Sequence, residues 1–148
     1  MINSLKLGKY YSRLGSFFMG YKARVFCIDD EPGVIELVNL ILRPQQIQVD
    51  GFNNGREGLE AMRQAPPDAV LLDIMMPEMD GWEVYKQMQT DEALKNVPVI
   101  IVTARNSSFE EIIARERAGV SDYITKPFLP NDLRKSLARV LELNQESK

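Results

Sequence analysis

From Arg24 onward, short β-branched runs alternate with longer stretches in which apolar residues recur at helical spacing. This is the pattern of strands separated by amphipathic helices. Val25-Phe26-Cys27-Ile28 is the first such run and ends in Asp29-Asp30-Glu31. Pro32 suits the first turn of a helix, where its missing N–H is no loss, and Val34, Ile35, Leu37, Val38, Ile41 and Leu42 give that helix an apolar face. A weaker strand is predicted at Ile47 to Val49, then a turn and cap at Asn53-Asn54-Gly55 leading into a helix with Leu59, Ala61 and Met62. Pro66-Pro67 closes that region. Ala69-Val70-Leu71-Leu72-Asp73 is an apolar run of the kind buried on both faces.

A loop from Ile74 to Asp80 precedes a third helix from about Gly81, carrying Trp82, Val84, Tyr85 and Met88. Val97 to Val102 reads as the fourth strand, closing on Thr103-Ala104. Ser108-Phe109-Glu110-Glu111 has capping-box spacing ahead of Ile112, Ile113 and Ala118 and predicts the fourth helix. Gly119 stops it, Ser121 to Thr125 is the fifth strand, and Leu133, Leu137, Val140 and Leu141 mark a fifth helix. Five strands alternating with five helices predict an α/β fold, a parallel sheet with helices on both faces.

The 148 residues are enough for one domain, and 45% apolar with 26% charged residues is ordinary for a globular core. A net charge of −3 argues against direct nucleic-acid binding through bulk charge. The charge is unevenly placed: Lys6, Lys9, Arg13, Lys22 and Arg24 face no acid within the first 24 residues, leaving −8 on the rest. We therefore read residues 1–23 as a basic extension on an acidic domain spanning 24–146. No apolar run is long enough to cross a bilayer and no secretory signal is evident, so a soluble, cytoplasmic protein is expected. Cys27 is the sole cysteine and histidine is absent, which excludes an internal disulfide, imidazole zinc ligation and histidine general-base catalysis. Chemistry must run on carboxylates, hydroxyls and lysines.

Those residues fall at the carboxyl ends of the predicted strands: Asp29 and Asp30, Asp73, Thr103, and Lys126. Parallel connections bring such ends to one edge, where open α/β sheets place their functional crevice. Each pair of ionised carboxylates held at about 4 Å repels by on the order of 4 kcal/mol at an effective dielectric near 20, so the cluster calls for a cation. Oxygen-only donors favour a hard ion, and Mg²⁺ fits better than a caged Ca²⁺. Mg²⁺ with a carboxylate, a hydroxyl and an ammonium is equipment for holding a phosphoryl group. Asp73, alone on a central strand, is the best nucleophile, and the adjacent Asp29 and Asp30 suit the metal.

At Asp29-Asp30-Glu31, Asp73-Ile74-Met75-Met76-Pro77-Glu78-Met79-Asp80-Gly81, Val102-Thr103-Ala104 and Tyr123-Ile124-Thr125-Lys126-Pro127-Phe128, the chain resembles the receiver domains of two-component response regulators. The resemblance spans Arg24 to about Asn144 and implies a doubly wound, flavodoxin-like five-stranded sheet of order 2-1-3-4-5. It implies Mg²⁺-dependent phosphotransfer from a sensor histidine kinase or phosphotransfer protein to Asp73, with Asp29, Asp30, Asp73 and the backbone carbonyl of Met75 around the metal. By the same carry-over Lys126 pairs with the phosphoryl group, Thr103 rotates toward it, and Tyr123 turns into the space released. The Lys126–Pro127 bond is expected to be cis. The output would be a switched face of the fourth helix, fifth strand and fifth helix, recognised by a downstream protein or used for homodimerisation on activation. Met75 and Arg105 occupy positions thought to govern loss of the acyl phosphate. Neither orients water well, so a phosphorylated state of moderate to long life is expected.

Rival readings fit less well. A haloacid-dehalogenase-type phosphatase needs a second Asp where Met75 stands, and no nucleotide-binding P-loop is present. A scaffold that acts without phosphorylation needs none of the five polar residues. In the extension, Leu7, Tyr10, Tyr11, Leu14, Phe17, Phe18 and Tyr21 recur at helical spacing among basic residues. Contact of residues 1–22 with a membrane surface, docking to a partner, packing on a second copy and a plain flexible leader all remain open for it.

Overall fold

The computed structural model describes residues 20–104 and 119–146. The amphipathic pattern up to Phe18, Arg105 and the helix expected from Ser108 lie outside the described residues. The elements are β1 (Ala23–Ile28), α1 (Pro32–Leu42) with a 3₁₀ turn at Arg43–Gln45, β2 (Ile47–Phe52), α2 (Gly55–Gln64), β3 (Ala69–Leu72), α3 (Gly81–Gln89), β4 (Val99–Ala104), β5 (Asp122–Lys126) and α4 (Pro130–Glu146). Here α4 is the fifth helix that the sequence predicts. The five strands form one parallel sheet in the order β2-β1-β3-β4-β5.

Successive side chains on a strand point to opposite faces, and the core divides accordingly. Phe26, Ile28, Val70, Leu72, Val99 and Ile101 pack with Leu59 and Met62 of α2 and Val84 and Met88 of α3. Val25, Cys27, Ala69, Leu71, Ile100 and Val102 pack with Val38, Ile41 and Leu42 of α1 and Leu133, Leu137 and Val140 of α4. Val25–Ile28, Ala69–Leu72 and Val99–Val102 are thus apolar at every position because both faces are covered.

Local chemistry sets the helix starts. Asn54 and Asp80 each accept a hydrogen bond from the backbone N–H three residues on, at 2.9 Å, capping α2 and α3. Pro32 opens α1. At the amino end of the sheet, Arg24 joins three segments. Its Nε lies 2.6 Å from Asp50 Oδ2, its backbone N–H donates to Asp68 Oδ2 at 2.8 Å, and its guanidinium stands 4.8 Å above the Phe26 ring. At the carboxyl end, the Asp29 N–H donates to Phe52 O at 3.0 Å and the Asp73 N–H to Ile28 O at 2.9 Å. Each acid is therefore anchored to the neighbouring strand just as its own strand ends.

Candidate functional site

Asp29 and Asp73 follow β1 and β3, Thr103 is the penultimate residue of β4, and Lys126 ends β5. Asp29, Asp73 and Thr103 are 1%, 3% and 1% exposed. The Lys126 ammonium reaches the acids from the edge strand, with Nζ at 2.7 Å from Asp29 Oδ2, 3.5 Å from Asp73 Oδ2 and 3.4 Å from Glu31 Oε1. Asp29 Oδ1 accepts from the Glu31 N–H at 2.9 Å, and Asp73 Oδ1 from the Met75 N–H at 3.2 Å. The carboxylate oxygens of Asp29, Asp30 and Glu31 lie within 4.8 Å of one another. The Lys126–Pro127 peptide bond is cis.

The electrostatics follow from burial. Desolvation, aided by the charge of Asp29, raises the Asp73 pKa above the usual carboxylate value, against the pull of Lys126 and the Met75 N–H. Desolvation raises Asp29 as well, although its hydrogen bond to Lys126 opposes this. Burial works to lower the Lys126 ammonium, but the hydrogen bond and charge of Asp29, then Asp73 and Glu31, outweigh it and leave the group above its ordinary value. The Thr103 hydroxyl is buried without a hydrogen-bond partner among the described residues, yet it lies near enough to Asp73 to favour the ionised acid. Beneath the site, desolvation and the neighbouring Asp29 push the Cys27 thiol up to about 12, so it stays protonated and inert near neutral pH.

The match to a family model identifies the fold's lineage: residues 25–138 fit the response regulator receiver domain. The chain belongs to that family. This receiver domain is 34% identical over 119 residues to Protein PilH of Pseudomonas aeruginosa, covering 80% of the chain and 98% of PilH. It is 30% identical over 125 residues to the DNA-binding response regulator MtrA of Mycolicibacterium smegmatis, covering 84% of the chain and 53% of MtrA. The chain spans about half the length of the MtrA relatives it matches. Among solved structures, the Vibrio cholerae chemotaxis protein CheY4 superposes with a TM-score of 0.71 at 29% identity, over 80% of this chain and 98% of that one. Receiver domains are phosphoacceptor signalling modules, switches rather than turnover enzymes, which imply a cognate histidine kinase and typically bind Mg²⁺ at an acidic site.

The residues present fit such an ion. Two buried acids with raised pKa values share one ammonium, and Asp30 and Glu31 add carboxylate oxygens beside Asp29, so the pocket is short of positive charge and rich in hard donors. Tyr123, half-buried on β5 beside Ile101 of β4, packs against the apolar cluster under α2 and α3. Glu31 is the participant that reading the sequence overlooked. As the residue preceding α1 it caps nothing with its side chain, which leaves its carboxylate for Lys126. The acidic triplet at a strand end was the available signal.

Glu110, Glu111, Arg115 and Arg117, charged residues of the predicted fourth helix, lie outside the described residues. Asp122 accepts from Ser136 Oγ at 2.6 Å and pairs with Arg139, both within the chain. No helix among the described residues is long and apolar enough to cross a membrane.

Proposed function

We propose that residues 24–146 form a receiver that takes a phosphoryl group from a histidine of a sensor kinase or phosphotransfer protein onto Asp73. One carboxylate oxygen attacks phosphorus, the P–N bond to the donor imidazole breaks, and an acyl phosphate forms. The observation that carries this reading is the buried Asp73 carboxylate, 3.5 Å from an ammonium that also holds Asp29. Asp29, Asp30, Asp73 and the Met75 carbonyl would hold Mg²⁺, which when bound neutralises phosphoryl oxygens. Lys126 turns from Asp29 toward the added dianion, and the Thr103 hydroxyl, without a hydrogen-bond partner among the described residues, donates to it. Tyr123 then follows into the space Thr103 leaves, coupling the site to β5 and α4. The domain catalyses only its own phosphorylation and slow dephosphorylation, in the cytoplasm.

The rim supports docking of a protein donor. The exposed large apolar side chains among the described residues are Met75 and Leu129, in the loops leaving β3 and β5, and Leu37 and Leu40 on α1. Met75 and Leu129 stand in loops at the carboxyl end of the sheet and α1 runs from that same end, so a partner helix surface bearing the phosphohistidine would bury them. The downstream protein is recognised on the face of β5, α4 and the predicted fourth helix. A homodimer on that face would have to form beside the internal pairs that Asp122 already makes. The basic extension proposed for residues 1–23 precedes the phosphoacceptor unit, with Ala23 already the first residue of β1.

A small phosphodonor with and without Mg²⁺ tests the proposal. The protein should gain one phosphoryl group only with the metal, and Asp73→Asn none. Equal labelling of the variant would refute it.

A further inference from the structure

The loop from Asp73 to α3 closes on itself at Gly81. The Gly81 N–H donates to Ile74 O at 2.9 Å, and a Cβ built on Gly81 would lie 2.3 Å from the carbonyl oxygen of Asp73, 2.7 Å from Ile74 Cα and 2.9 Å from the Asp73 carbonyl carbon. All three are backbone atoms that cannot rotate aside. The φ of Gly81 lies outside the left-handed region, so its own conformation does not demand glycine. Other glycines differ. A Cβ at Gly33 meets nothing within 4 Å, and one at Gly58 meets Cδ1 and Cγ1 of the buried Ile28 at 2.5 and 2.9 Å, side-chain rather than backbone atoms.

We infer that Gly81 is a positioning residue for Asp73: the missing side chain lets the start of α3 rest on the phosphoacceptor's own peptide and so sets the depth of its carboxylate in the site. This rests on the phosphoacceptor reading above. On one side α3 is fixed, because Val84, Tyr85 and Met88 are buried in the core and Asp80 caps its first turn. On the other side the loop has only Ile74 and Met76 buried in the core and already holds Glu78 at φ +66°, a left-handed conformation unusual for a residue with a side chain. A methyl group at position 81 therefore moves the loop rather than the helix. Restoring ordinary van der Waals separation requires a shift of about 1 Å, carried by Asp73 and by Met75, whose N–H is bonded to Asp73 Oδ1. A misplacement of that size lowers rates by as much as about a hundredfold when reacting groups must be aligned.

The test compares wild type, Gly81→Ala and Gly58→Ala. Calorimetric titration with Mg²⁺ alone reads the site, thermal unfolding reads the fold, and small-phosphodonor labelling at saturating Mg²⁺ reads the chemistry. Gly81→Ala should remain folded, bind Mg²⁺ at least about tenfold more weakly, and label about ten to a hundred times more slowly. Gly58→Ala should lower the unfolding temperature while keeping wild-type Mg²⁺ affinity. Equal Mg²⁺ affinity and labelling rate in wild type and Gly81→Ala would overturn the inference and leave the phosphoacceptor reading intact. So would a Gly81→Ala protein that does not fold at all, since the glycine would then serve the core. Absence of Mg²⁺ uptake and labelling in the wild type would overturn both.

Discussion

Replacing Lys126 with methionine keeps most of the side-chain volume and removes the charge on which Asp29 and Asp73 converge. At an effective dielectric near 20, an ammonium 2.7 Å from one carboxylate and 3.5 Å from another gains roughly 6 and roughly 5 kcal/mol of Coulomb energy. Desolvation of three buried groups cancels much of this. What remains on removing one partner is the penalty of uncompensated buried charge, about 3–5 kcal/mol. Glu31 adds little because its carboxylate is mostly exposed. Since Asp29 and Asp73 already hold protons more tightly than ordinary carboxylates, the variant can relieve its repulsion by protonation. Lys126→Met should therefore lose about 3 kcal/mol or more near pH 7 and distinctly less near pH 5. Added Mg²⁺ should return part of the loss. Urea unfolding followed by emission of Trp82, the only tryptophan, measures each quantity. A loss below about 1 kcal/mol, or one unchanged between the two pH values, would refute the electrostatic reasoning.

Other consequences are equally open to measurement. The raised pKa of Asp73 means that the folded protein binds this proton more tightly than the unfolded chain, so this group's contribution to stability falls as pH rises from its ordinary value of 3.8 through its folded value. Asp73→Asn should accordingly be more stable than wild type near pH 7 without Mg²⁺ and no more stable near pH 3; urea titrations that show the reverse order would contradict the sign. Leu129→Glu and Leu40→Glu should slow phosphotransfer from a cognate kinase at least about tenfold while leaving labelling by a small phosphodonor unchanged; parallel slowing of both reactions would remove the docking role. With Met75 and Arg105 at the positions thought to control hydrolysis, the acyl phosphate should decay slowly; loss within seconds in the purified protein would contradict that expectation.

The layered fold was legible because the strongest sequence signals sit where burial is complete. The unbroken apolar runs at Val25 to Ile28 and Ala69 to Leu72 are strands covered on both faces, and Asn54 and Asp80 carry the cap chemistry that starts α2 and α3. The edge strand was harder to read. β2 continues beyond Val49 through Asp50 and Gly51 to Phe52, because pairing with β1 supplies its hydrogen bonds while Asp50 answers Arg24. β4 and β5 likewise run to Ala104 and Lys126, so Thr103 and Lys126 belong to the strands rather than to the loops after them.

At the site, the order of polar residues at strand ends foretold which would meet, because parallel topology decides it. The resting partner of Lys126 could not be foretold. Its closest contact is Asp29 across the sheet, and that choice depends on the reach of a long side chain and on how deeply each acid is desolvated. The closeness of Gly81 to the Asp73 carbonyl is a property of backbone packing, for which sequence carries only the word glycine.

As a phosphoacceptor, the Asp73 carboxylate becomes an acyl phosphate. Borohydride reduction of the protein after phosphodonor treatment with Mg²⁺, followed by peptide mass spectrometry, locates it directly. Asp73 alone should be converted to homoserine, and only when the metal was present. Reduction at another acid, or a phosphoryl group that resists borohydride and maps to a serine or threonine, would contradict it.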